Sequence, residues 1–184
     1  LEPTTMYGVT KVAGELLCKY YATRFGVDVR SLRYPGIISH GTKPGGGTTD
    51  YAVEIFYDAL ERGEYTCFLE AETRLPMMYM PDAVQATISL MNTDEENITV
   101  RTSYNVTAFS FSAEELASEI AKRIEGFTVQ YEPDFRQEIA TSWPESVDDS
   151  AAHTDWKWQP KYDLSRMVDD MLDNLRQKLS VPSE

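Results

Sequence analysis

An α/β fold is predicted for this 184-residue chain by three features. A segment with helical spacing ends at a glycine and runs directly into a β-branched and aromatic segment. Short strand-like runs and capped helical patterns then alternate to the end of the chain. Apolar residues make up 42%, enough for one domain with a core.

The elements follow in order. Pro3-Thr4-Thr5 opens a helical pattern that reaches about Phe25. Val9, Ala13, Leu17 and Tyr21 recur at four-residue steps, with Val12, Leu16 and Tyr20 in a second row. Two apolar rows predict a helix that packs on more than one neighbour. Gly26 is its natural C-cap, and 27–34, closed by Pro35-Gly36, reads as a buried strand. Residues 40–49 form a loop around Pro44-Gly45-Gly46-Gly47, after which Thr48-Thr49-Asp50 caps a helix over 51–62. Strands at 65–69 and 77–80 precede a helix from Pro81-Asp82 to about Met91. After a polar connection at 93–97, two short strands fall within 103–111. Ser112 and Glu115 then make a capping box for a helix over 113–124. A strand at 127–131, an irregular helical stretch within 135–146 and a short helix from Asp148-Asp149-Ser150 to Trp156 follow. Leu164, Met167, Val168, Met171, Leu172, Leu175 and Leu179 mark an amphipathic closing helix. No internal repeat and no linker interrupts the series, which predicts one compact unit.

Charge narrows the function. Thirty acidic residues against 17 basic ones give a net charge of −13, a field that repels phosphate backbones and anionic lipid. No nucleic-acid partner and no membrane association are expected. Apolar runs such as Met77-Met78-Tyr79-Met80 are far too short to cross a bilayer. Cys18 and Cys67, without CxxC spacing, exclude a disulfide framework or zinc cluster, so no metal is expected and a reducing compartment is. The opening residues carry neither an initiator Met nor a signal-peptide pattern, and the chain reads as a mature or cut piece.

Candidate chemistry centres on Tyr7-Gly8-Val9-Thr10-Lys11. Side chains four apart on a helix share a face. A cation close to a phenol favours the phenolate, and such a pair can take a proton from an alcohol. Thr48, Thr49 and Asp50 form a second candidate. The N–H groups and partial positive charge of a helix start suit a carboxylate, and Asp50 suits an ammonium. The glycines before them let a loop approach a ligand closely. Each feature has a plain structural alternative: an ordinary tyrosine beside an exposed lysine, an N-cap, and a simple turn at Pro35-Gly36. His40 and His153 read as solvated or hydrogen-bonded, and Trp143, Trp156 and Trp158 as core or interface aromatics.

Tyr7-Gly8-Val9-Thr10-Lys11, Leu32-Arg33-Tyr34-Pro35-Gly36, the stretch Arg74 through Tyr79 to Asp82, and Trp158-Gln159-Pro160 together resemble the extended short-chain dehydrogenase/reductase family, which includes sugar-nucleotide epimerases. Pro44-Gly45-Gly46-Gly47-Thr48-Thr49-Asp50 and Arg74-Leu75-Pro76-Met77-Met78-Tyr79-Met80-Pro81-Asp82 are more specific. They are similar to its epimerase-like branch, the NAD-dependent L-threonine 3-dehydrogenases. The resemblance implies the C-terminal part of a Rossmann-type doubly wound sheet plus a small α/β substrate-binding subdomain. Residues 1–40 would end the nucleotide-binding domain. Residues 41–184 would be mainly the substrate-binding subdomain, with segments returning to the first.

The same resemblance implies roles. Tyr7 would be the base on the 3-hydroxyl of L-threonine, oxidised by NAD to 2-amino-3-oxobutanoate. Lys11 would hold the cofactor ribose and assist Tyr7. Tyr34, Pro35, Gly36, Ile37 and Ile38, just past a parallel strand's end, would border the nicotinamide. Thr48, Thr49 and, after them, Asp50 would contact the substrate. Arg74 matches an arginine that epimerase relatives place near a nucleotide diphosphate; a structural ion pair is an equal reading here. A homodimer through the Tyr7–Lys11 helix is implied too, with the bacterial cytoplasm as location and the mitochondrial matrix as alternative. No Gly-x-Gly-x-x-Gly occurs, and no hydroxyl-orienting Ser or Thr stands convincingly ahead of Tyr7. Both parts are expected on an N-terminal portion outside this chain, and little NAD binding by the chain alone. A sugar-nucleotide epimerase or dehydratase, and a non-catalytic truncated scaffold or dimerisation partner, are the alternatives.

Overall fold

The structure is a computed structural model that describes residues 2–180. It contains α1 (Met6–Phe25), β1 (Leu32–Arg33), β2 (Gly36–Ile38), α2 (Tyr51–Glu61), β3 (Glu64–Cys67), β4 (Arg74–Tyr79) and α3 (Met80–Asn92). There follow β5 (Tyr104–Asn105), β6 (Phe109–Ser112), α4 (Ala113–Ala121), β7 (Thr128–Tyr131), α5 (Arg136–Thr141), α6 (Ser150–Trp156) and α7 (Leu164–Ser180). Three ladders are parallel: β1 with β5, β2 with β4, and β3 with β7. β6 adds to β4 antiparallel, with Met77 opposite Phe109.

The single unit expected from the sequence is two. One comprises the segment ending at Tyr34, Val84–Val106 and Asp148–Gln159; the other comprises Pro35–Ala83, Thr107–Val147 and the segment from Pro160 onward. Each draws on three stretches of chain, so every boundary is a direct crossing and no linker composition marks it.

In the first unit Thr5 caps α1 by accepting the Gly8 N–H at 3.1 Å. Gly26, at φ 65°, closes the helix in the left-handed conformation that glycine tolerates. The two apolar rows of α1 do not find the neighbours they predict. No residue of this helix is fully buried, and Leu16, Leu17, Tyr20 and Phe25 remain more than half exposed. The expected strand over 27–34 shrinks to Leu32–Arg33. Its ladder partner among the described residues is only Tyr104–Asn105, and a strand extends no further than its partner. Arg30, just ahead, serves α3 instead: its guanidinium donates to the carbonyls of Leu90, Met91 and Thr93 at the helix's C-terminal end. Trp156 and Trp158 are buried, the former edge-on to Tyr104.

The second unit holds the larger core. Tyr51, Ile55 and Phe56 of α2, Leu116 and Ile120 of α4, and Met167, Met171, Leu172 and Leu175 of α7 pack with Leu75, Met77 and Tyr79 of β4. The closing helix thus buries its stripe from Met167 to Leu175, while Leu179 at its end stays 42% exposed. Ser112 and Glu115 form the reciprocal capping box of α4. Asp82, 1% exposed, accepts the Lys161 and Tyr162 N–H groups at 3.0 Å each. This ties the segment leading into α7 to the first turn of α3. No helix among the described residues is long and apolar enough to cross a membrane.

Candidate active site

Tyr7 and Lys11 sit in the first turns of α1, where the Thr5 cap sets the helix start. Four residues of separation put them on one face, with the Lys11 ammonium 5.2 Å from the centre of the Tyr7 ring. Tyr7 is 73% exposed, so its phenol is open to a ligand. No carboxylate pairs with Lys11 among the described residues. One turn further on, Glu15 is gripped by Arg33 of β1. The guanidinium Nε donates to Oε1 at 2.6 Å and Nη2 pairs with Oε2, while Nη1 reaches Asn105 of β5 at 3.3 Å. The Glu15 carboxylate beside it holds the Arg33 guanidinium even more firmly charged than usual.

Beyond β1, the Tyr34 hydroxyl is hydrogen-bonded to Thr87 of α3. The segment 34–38 does begin just past the end of a parallel strand, β1, and then becomes a strand itself. Gly36, Ile37 and Ile38 form β2, in register with Met77, Met78 and Tyr79. Gly36 has a specific reason to lack a side chain: a Cβ there would collide with Met77 Sδ and come within 2.8 Å of Thr49 Cγ2. The methyl of Thr49 therefore lies close over the Gly36 backbone.

Asp50 stands at the N-cap of α2 but makes no side-chain cap. Its Oδ2 accepts the N–H groups of Gly45, Gly46 and Gly47 at 2.7, 2.8 and 2.8 Å. Asp50, expected to face an ammonium, thus has one oxygen committed to the loop. Gly46, at φ 95°, takes the conformation that lets three successive N–H groups converge. The hydroxyls of Thr48 and Thr49 make no hydrogen bond among the described residues. In Asp50→Ala the three glycine amides should exchange with solvent about tenfold faster or more, since charge-assisted bonds contribute roughly 1.5–3 kcal/mol. Hydrogen exchange read at single residues checks this; unchanged protection there would remove Asp50 as the anchor.

Arg74, at the start of β4, donates to the Ser110 carbonyl at 2.7 Å and pairs with Glu115. That guanidinium, together with the Ser112 N–H, holds the Glu115 carboxyl below the usual carboxylate range. The structural ion pair is the arrangement observed. His153 approaches Asp149 at 3.2 Å, and Trp143 is 40% exposed. No group of three or more metal-ligating side chains is assembled among the described residues. Sequence reading missed the Glu15–Arg33 clasp. The four-residue row Tyr7, Lys11, Glu15 marks one partner only, and nothing local links it to Arg33, 18 residues on.

Tyr7 and Lys11 belong to the first unit, and Gly36, Thr48, Thr49 and Asp50 to the second. Parallel ladders, covering helices and a tyrosine–lysine pair one turn apart define an α/β protein of the Rossmann type. The chain belongs to the NAD dependent epimerase/dehydratase family, whose model matches residues 1–107. It is 52% identical over 178 residues to an uncharacterized epimerase/dehydratase of Staphylococcus haemolyticus, covering 96% of this chain and 56% of that protein. It is similar to the crystal structure of L-threonine dehydrogenase from Phytophthora infestans. There the identity is 56% and the TM-score 0.94, over 97% of this chain and 58% of that one. A monomeric L-threonine 3-dehydrogenase from a metagenome matches at 50% identity and a TM-score of 0.91, over 97% and 57%. The chain spans a little over half the length of these relatives.

Proposed function

We propose that this chain is the catalytic-tyrosine half of an NAD-dependent L-threonine 3-dehydrogenase. The observation that carries the reading is an exposed phenol with an ammonium on the same helical face and, among the described residues, no carboxylate paired with that ammonium. The first unit would complete the nucleotide-binding domain and the second would be the substrate-binding subdomain. The donor set suits the cofactor: Lys11 has free donors for ribose hydroxyls, and the Tyr34–Pro35 backbone leads into β2 beside the substrate turn. When bound, NAD supplies the nicotinamide that accepts hydride from C3.

The chain's own residues do the rest. Tyr7 accepts the 3-hydroxyl proton, with the Lys11 ammonium beside its ring on the same helical face. Thr48 and Thr49 offer hydroxyls at a helix start, where a carboxylate is welcome. The remaining Asp50 oxygen, Oδ1, can meet the ammonium while Oδ2 anchors the loop. The sugar-nucleotide alternative is disfavoured by Arg74, whose guanidinium is spent on Glu115 and Ser110 rather than left for a diphosphate. The unburied apolar rows of α1 support a homodimer through that helix.

The test uses full-length protein containing this chain. With L-threonine and NAD+ it should generate NADH at 340 nm, and UDP-sugars should be left unchanged. Epimerised UDP-sugar without threonine-dependent NADH would reverse the assignment.

A further inference from the structure

Tyr7, Lys11 and Glu15 step along α1 four residues at a time, so each lies one turn from the next on a shared face. Glu15 is therefore as well placed by spacing to engage Lys11 as Lys11 is to engage Tyr7. A Lys11–Glu15 ion pair would draw the ammonium away from the phenol and offset its field. The structure shows the pair unformed. Both Glu15 oxygens are taken by Arg33, which reaches across from β1 and is itself steadied by Asn105 of β5. The Glu15 side chain is only 15% exposed, so this carboxylate is held inward against the strand and not left to roam. Among the described residues the charged group that engages this row from another element is Arg33 of β1, at Glu15, and Asn105 of β5, which meets Arg33, is uncharged.

We infer that Arg33 is a positioning residue for the Tyr7–Lys11 pair: by clasping Glu15 it keeps the one carboxylate within helical reach from capturing Lys11. The inference rests on the reading of Tyr7 and Lys11 given above. It assigns to Arg33 a role exerted through two other side chains, with no contact to substrate or cofactor.

The first readout needs neither ligand nor turnover. Reductive methylation of lysines in this chain, followed peptide by peptide by mass spectrometry, reports whether Lys11 is paired. Arg33→Ala should slow Lys11 labelling about twofold relative to the other lysines, the size of a helical ion pair of roughly 0.5 kcal/mol. Arg33→Ala combined with Glu15→Gln should restore the rate. Glu15→Gln alone should leave it as it was, and this arm stands even if Arg33→Ala folds poorly. Faster labelling in Glu15→Gln, unchanged labelling in Arg33→Ala, or slowing that persists in the double variant overturns the proposal.

The second readout is the pH profile of kcat/KM in the full-length enzyme. Its acid limb should move to higher pH in Arg33→Ala, as expected when an ammonium near the reacting group is neutralised by a carboxylate, and return in the double variant. A purely structural Arg33 would lower activity at every pH without moving the limb, and that result also overturns the proposal. Absence of threonine turnover with the labelling pattern intact would remove the substrate assignment and leave this inference standing.

Discussion

Tyr7→Phe should lower kcat for L-threonine by about 10²–10⁴-fold, the range supplied by a positioned acid–base group. NAD affinity should stay within about twofold, because the substitution removes one oxygen and leaves helix, cap and Lys11 in place. The reasoning is local. Tyr7 is exposed on the first turn of α1, and no described core residue depends on its ring, so its hydroxyl can be deleted without a packing cost. A variant that folds, binds NAD and turns over threonine at the native rate would show that another group takes the proton.

Asp82→Ala should destabilise the second unit by about 3 kcal/mol. Asp82 is 1% exposed and accepts two backbone N–H groups from Lys161 and Tyr162. Its deletion breaks two charge-assisted bonds and strands two donors away from water. It also removes a negative charge from the first turn of α3, where the helix dipole favours one. At roughly 2–4 °C per kcal/mol for a chain of this size, the melting temperature should fall by about 6–12 °C. Asp82→Asn should cost less, because the amide oxygen still accepts one of the two bonds. Thermal unfolding of the three proteins side by side checks the order; an Ala variant as stable as the parent would mean that water satisfies those donors.

What sequence disclosed and what it withheld follow from the range of the forces involved. Local signals were faithful. The Gly26 cap, the Ser112–Glu115 box and the α7 stripe each depend on residues within one or two turns, and each has its counterpart in the structure. Strand length was not local. The 27–34 run has the composition of a strand, yet only two residues ladder, because pairing is limited by the partner at 104–105. Composition and linkers did not disclose two units, for a related reason: both are assembled from distant stretches that cross without a change in composition.

The site divides in the same way. Tyr7 and Lys11 were visible as a helical spacing, and the loop ahead of α2 as a glycine run before Thr48, Thr49 and Asp50. The anchoring of that loop was not legible, since Asp50 has the signature of an N-cap and only backbone geometry turns its carboxylate back onto three glycine amides. The Glu15–Arg33 clasp joins residues 18 apart, beyond any periodicity argument.

The most direct measurement is a crystal structure of the full-length protein with NAD and L-threonine, or a slowly reacting analogue. The Tyr7 hydroxyl should stand within about 2.6–3.2 Å of the 3-hydroxyl oxygen, as a proton acceptor must. The substrate carboxylate should rest on Thr48 and Thr49. A ligand whose alcohol is turned away from Tyr7, with some other base at hydrogen-bonding distance, would contradict the account.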